Sequence, residues 1–245
     1  MEEQKQQSGF AIIYKGLLDF TKETLPDLAE TTIDMFSDDG FLKDFPIVGT
    51  FIRGIKSIIG IRDVFLTKHV LVFTQRLNSN SLPQEKIKQH YDELEKNPKK
   101  KLRELEAVLQ SISKHKKYIQ DKILANFYAV YCDPDIIEFN WTQFELMSQI
   151  TEGLFPYDLI ELKKVYDAGK LEKENFDASA ILRLSNLGLV AYDSGELRWD
   201  STISNGNIEH IENATINKIG KTFWNYGMKD VESELEKLST DGTIL

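Results

Sequence analysis

The chain has 245 residues, 41% of them hydrophobic and 28% charged, with a net charge of −9 and a single cysteine, Cys132. That length suits one or two domains, and that apolar share supports a sizeable core, which excludes wholesale disorder. One cysteine excludes an internal disulfide framework and any cysteine-based zinc finger, and it fits a reducing compartment.

Residues 1–9, MEEQKQQSG, are polar and acidic. A secretory signal opens with a basic region and then an apolar one, so the expected location is cytoplasmic. Residues 10–36 carry apolar side chains at helical spacing, with Pro26 set to kink or break the helix. Asp38-Asp39-Gly40 reads as a turn.

Residues 45–61, FPIVGTFIRGIKSIIGI, form the most apolar stretch. Arg53 and Lys56 interrupt it, and it falls short of the ~20 apolar residues that a spanning helix needs. Wound at about 100° per residue, Gly49, Arg53, Lys56 and Gly60 share a narrow face, while Val48, Phe51, Ile52, Ile55, Ile58 and Ile59 cover about 120° on the opposite side. An apolar face with cationic flanks suits an interfacial helix, and equally a central core helix whose glycines admit a close neighbour. Phe51, Ile52, Arg53, Ile55, Lys56, Ile58 and Ile59 are therefore the candidate contacts to a membrane or a partner.

Further helices are predicted over 62–77, 84–96, 99–110, 113–131, 141–152 and 156–168. Asn78 to Ser81, Asn97-Pro98 and Asp133-Pro134 separate them. Residues 169–176, GKLEKENF, read as a linker. A short helix over 177–187 then ends at Gly188 as a C′ glycine. A strand over 189–192, a turn at Asp193 to Glu196, a return strand at 197–199 and a strand-into-helix segment over 216–224 complete the pattern. Helix, Leu-Gly-Leu, strand, turn, strand is the sequence shape of a winged-helix module.

Charge is unevenly spread. Residues 1–40 carry −6, 41–132 carry +8, 133–176 carry −6 and 177–245 carry −5. The basic middle is expected to neutralise acidic neighbours, or else to face a polyanion or an anionic membrane. DNA is the less expected partner. The segment 177–187 offers only Arg183, with Lys221 further on, and a DNA-reading module needs several cations against phosphates.

No catalytic signature stands out. His69, His90, His115 and His210 lack metal-ligand spacing and read as surface or half-buried histidines. Cys132 reads as a small core residue. No Gly-rich phosphate cradle occurs. Pro134-Asp135 with Glu161 and Lys163 echoes a nuclease pattern, but that chemistry needs the Glu and Lys on a strand, and here both fall in a predicted helix. The expectation is a protein that is not an enzyme, with no catalytic residues, metal or cofactor.

A basic, glycine-containing apolar segment (Pro46, Gly49, Gly60, Arg62-Asp63, Lys68) precedes charged helices. After these come Lys122, Leu124-Ala125-Asn126-Phe127 and Tyr131, then Phe144, Met147 and Ile150, then Leu-Gly-Leu and a Thr-x-x-G-like tail. Over residues 40–227 this resembles the abortive-infection alpha family of bacterial and prophage proteins. Asn217 or Lys218 stands where that family reads Thr. The resemblance implies a helical and winged-helix protein of phage defence with no known catalytic residues.

The expected fold is mainly α. A helical bundle spans 1–170, a small winged-helix-like α+β domain spans 177–228, and a charged tail over 229–245 is partly helical. The expected function is that of a non-enzymatic effector or sensor in prophage–host conflict, acting by protein–protein contact, self-association or membrane contact on activation. The alternatives are a DNA-associated winged-helix regulator using Arg183 and Lys221, or a constitutive scaffold or dimer.

Overall fold

The computed structural model describes residues 64–79, 81–193 and 211–235. The protein is mainly helical, with a small three-stranded antiparallel sheet. It divides into two compact units between Glu145 and Leu146. Residues 10–36 and the candidate helix 46–61, with all seven of its candidate contacts, lie outside the described residues.

The first unit contains α1 (Val64–Leu77), α2 (Gln84–Glu95), α3 (Pro98–Ile112) and α4 (Tyr118–Tyr131). α1 packs along α4. Both are buried over most of their circumference. α1 buries Leu66, Val70, Leu71, Val72, Phe73 and Leu77, and α4 buries every residue from Ile119 to Ala129 except Lys122. A helix apolar on nearly every side belongs at the centre of a bundle. α2 and α3 are amphipathic covers. Ile87, His90, Tyr91 and Leu94 form the buried stripe of α2, at the i, i+3, i+4, i+7 spacing of one helix face.

Asn97 caps α3, its side chain accepting from Lys100 N at 3.2 Å, with Pro98 at the first helical position where its missing N–H loses nothing. The helix predicted from residue 113 begins instead at Tyr118. The Gln120 side chain folds back to accept from Lys116 N and Lys117 N at 2.8 and 3.0 Å. This satisfies the N-cap donor and the one before it, and α4 starts five residues later than periodicity alone implied.

α5 (Trp141–Gly153) spans the division between the units. The second unit continues with α6 (Pro156–Ala168), β1 (Lys170–Glu172), a 3-10 turn (Lys173–Asn175), α7 (Ala178–Asn186), β2 (Val190–Asp193), β3 (Asn213–Ile216), α8 (Lys218–Thr222) and a π turn (Phe223–Gly227). The sheet order is β1-β3-β2, antiparallel throughout. Leu171 lies opposite Ala214, and Tyr192 lies opposite the same Ala214 from the other side. α6 packs on β1 and β3 and against α7, so the helix expected to close the N-terminal domain is part of the sheet-bearing unit.

One expectation changes here. Residues 169–176 are not a linker: three of them form β1, whose partner lies more than forty residues later. β2 pairs with β3, and the expected turn over 194–196 and return strand over 197–199 lie outside the described residues.

The end of α7 matches the expectation from Leu-Gly-Leu. Gly188 has φ +74°, Gly188 N donates to Ser185 O at 2.8 Å and Leu189 N donates to Leu184 O at 2.9 Å. Those two bonds are the Schellman closure, and the positive φ selects glycine. Gly220 is required for a different reason: a Cβ there would stand 2.1 Å from Leu189 O, so only glycine lets α8 approach the β2 entry this closely.

Candidate functional site

Three polar clusters could carry function, two in the first unit and one in the second. The first joins three elements. His69 comes from α1, His115 from the turn before α4, and Asp121 from the opening turns of α4. His69 Nδ1 lies 2.6 Å from Asp121 Oδ2, and His115 Nδ1 lies 2.8 Å from Asp121 Oδ1. One carboxylate thus meets two imidazoles, and none of the three side chains exceeds 1% exposure.

The rings of Phe65 and Tyr118 flank His69 at centroid distances of 4.2 and 4.8 Å. Among the described residues, His115 Nε2 has no hydrogen-bond partner. Burial, with His69 and Lys114 nearby, lowers the His115 pKa to about 3. Burial raises the Asp121 carboxyl well above its ordinary range, against a smaller opposing effect of Lys122. The position of Asp121 close to the N-terminus of α4 favours negative charge, because unsatisfied N–H dipoles point that way.

The second cluster is centred on Glu104 of α3, which is buried. Its Oε2 lies 2.9 Å from His90 Nε2 and accepts from Tyr128 OH at 3.3 Å. Its Oε1 accepts from Tyr131 OH at 2.7 Å. Burial alone would raise the Glu104 pKa, but the bonds to His90 and Tyr131 outweigh it and the carboxyl sits below its usual range. The same cluster pushes the Tyr128 and Tyr131 phenols upward, burial being the larger cause for both. Phe73, Tyr91, Glu104 and Tyr128 line a void with room for about one water molecule.

The third cluster holds α7 to α6. Arg183 Nε and Nη2 both donate to Asp158 Oδ1, at 2.9 and 2.6 Å, and Phe155 N donates to Asp158 Oδ2 at 3.1 Å. Asp158 is fully buried, whereas the Arg183 side chain is 39% exposed. The guanidinium also lies 6.0 Å from the Phe155 ring centre. The outward stripe of α7 is Ser179, Leu182, Arg183 and Asn186, so its one cation already has a counter-ion. Lys221 is exposed on α8.

The charged residues among the remaining sequence candidates are paired. Lys86 bridges Asp135 at 2.6 Å. Glu161 is buried and accepts from Lys164 Nζ at 2.7 Å and from Asp177 N at 3.2 Å. Lys163 pairs with Asp167 and Glu232. Glu161 and Lys163 both lie on α6, as expected, and not on a strand. Cys132 is buried in the core, its thiol pushed up by that burial.

Sequence reasoning placed the histidines at or near the surface. His69, His90 and His115 are instead buried, two of them against Asp121 and one against Glu104, while His210 lies outside the described residues. His69 and Asp121 are 52 positions apart, so no local spacing could have marked the pair. Among the described residues, no group of three His, Cys, Asp or Glu side chains could hold a metal ion. Nor is any described helix long and apolar enough to cross a membrane. No family model, curated protein or solved structure matches this chain.

Proposed function

We propose that this chain is a non-enzymatic effector or sensor of bacterial phage defence, and that its second unit is a winged-helix-like module used to contact another protein rather than DNA. The winged-helix reading is supported by the chain order α6-β1-α7-β2-β3 with the sheet order β1-β3-β2. In such modules the helix ahead of the last two strands is the one offered to a partner. The phage-defence setting is carried by the resemblance to the abortive-infection alpha family. Asn217 is compatible with it: its side chain caps α8, as a threonine hydroxyl can.

The observation that favours a protein partner is the Arg183–Asp158 pair. DNA affinity comes chiefly from cations that neutralise phosphates. The only cation of α7 is held by a buried carboxylate, and residues 177–245 carry a net −5. The non-enzymatic reading is supported by the two buried carboxylate–histidine clusters, whose groups bond to one another.

Plaque counts on bacteria expressing the chain test the function. The wild type should lower them, and Leu182→Asp on the outer stripe of α7 should restore them. Unchanged plaque counts with the wild type would sink the defence reading. Duplex-DNA anisotropy at low salt should show no binding. Salt-sensitive binding lost in Arg183→Ala or Lys221→Ala would instead establish the regulator. The membrane version rests on residues 46–61 and is tested by dye release from anionic liposomes, wild type beside Ile55→Asp.

A further inference from the structure

The corner joining α2 to α3 reads Lys96-Asn97-Pro98-Lys99-Lys100-Lys101-Leu102-Arg103, five cations in eight residues with no carboxylate among them. Glu95 through Lys100 are all exposed, so the turn projects into solvent. Two of the cations are answered within the fold. Lys101 Nζ lies 2.6 Å from Glu95 Oε1, and Lys100 Nζ lies 3.6 Å from Oε1 of the buried Glu104. Lys96, Lys99 and Arg103 are exposed and pair with no carboxylate among the described residues. Lys99 and Arg103 also stand one turn apart on the same face of α3, where like charges repel.

This placement runs against the helix that carries it. Lysines follow Pro98 at the next three positions of α3, and its first turn holds no acidic residue. The unsatisfied N–H dipoles of a helix N-terminus favour anions, so each lysine there costs α3 stability. Asn97 and Pro98 already supply the start signals that α3 needs. Cations that weaken their own helix and find no counter-ion in the fold are placed for an external anion.

The form of that anion follows from what surrounds the charges. The aromatic rings of α2 and α3, His90 and Tyr91, are both buried, so unpaired bases have nothing to stack on. Single strands are tracked by a groove, whereas this corner is a projection. Four of the five cations are lysines, point charges rather than the guanidinium forks that read base edges. A projection tipped with point charges suits a flat layer of phosphates. The net charge of −9 does not forbid that contact, because screening over about 8–10 Å at ordinary salt leaves the corner to act alone.

We propose that the α2–α3 corner is a peripheral docking site for an anionic lipid bilayer, with Lys96, Lys99 and Arg103 meeting the phosphate headgroups. The contact is electrostatic and inserts no side chain. It is independent of the protein contact assigned above to α7.

Co-sedimentation of the full chain with vesicles tests this. The wild type should pellet with vesicles of phosphatidylcholine containing phosphatidylglycerol, stay in the supernatant with phosphatidylcholine alone, and leave the anionic vesicles when salt is raised. Lys99→Glu with Arg103→Gln removes three units of charge, two at the first site and one at the second. At about fivefold per unit, its partition coefficient should fall about a hundredfold. Lys170→Gln with Lys218→Glu makes the same change in the second unit and should pellet as the wild type does. The corner variant should melt no lower than the wild type, because glutamate suits the first turn of α3. No pelleting of the wild type with anionic vesicles, or equal pelleting of wild type and corner variant, would overturn the proposal. Corner-dependent binding that duplex DNA or single-stranded RNA draws away from the vesicles would overturn it too, and would make the patch a nucleic-acid site.

Discussion

Glu104 receives an imidazole and two phenols while nearly excluded from water, and this sets how it responds to acid. Its folded pKa is lowered relative to the unfolded chain, so the stability it contributes is present above about pH 4.5 and is lost as pH falls through the folded value. Glu104→Gln should therefore unfold with a flatter pH dependence in the acid range than the wild type. At pH 7 it should be less stable by about 2 kcal/mol, the scale of hydrogen bonds to a charged acceptor. Thermal melts at pH 7 and pH 4 check both parts. An acid slope as steep as that of the wild type would show that Glu104 is not the group titrating. None of this was legible in the sequence. His90 and Glu104 are 14 positions apart on different helices, and only the packing of α2 on α3 brings them together.

Elements were legible where their signals were local. The helices over 84–96 and 156–168 emerged within a residue of their observed limits, because Pro and Asn punctuation coincided with the change in apolar period. Gly188 was legible for the same reason. β1 was not: three residues in a polar stretch carry no usable periodicity, and what makes them a strand is hydrogen bonding to β3.

Asn217 joins such elements. Its Oδ1 accepts from Gly220 N at 2.9 Å and its Nδ2 donates to Gly188 O at 2.8 Å. One side chain thus caps the start of α8 and anchors the end of α7. Asn217→Ala should cost about 1–2 kcal/mol, towards the upper end for a helix cap because a second bond is lost with it. Asn217→Ser should recover part of that loss by restoring the cap alone. Denaturant midpoints of the three proteins make the comparison, and equal loss in both variants would count against the cap.

At the scale of the whole molecule, composition and period gave the class, mainly helical with a small sheet, and long-range pairing gave the rest. The buried clusters escaped notice because they assemble from residues that are unremarkable one at a time. The strand that completes the sheet is also the last to be made. β1 and β2 do not pair with each other; both depend on β3, which occupies the middle. A ribosome that has passed residue 193 has therefore built two strands whose mate among the described residues is still to come, and the N–H and C=O groups that β3 will meet stay open to other chains until residues 213–216 emerge. A chain ended at Glu212 should accumulate in inclusion bodies, whereas one ended at Leu235 should remain in the supernatant. Comparing the two fractions on a gel would show whether synthesis order, rather than final stability, is the point at which this protein is most exposed to misassembly.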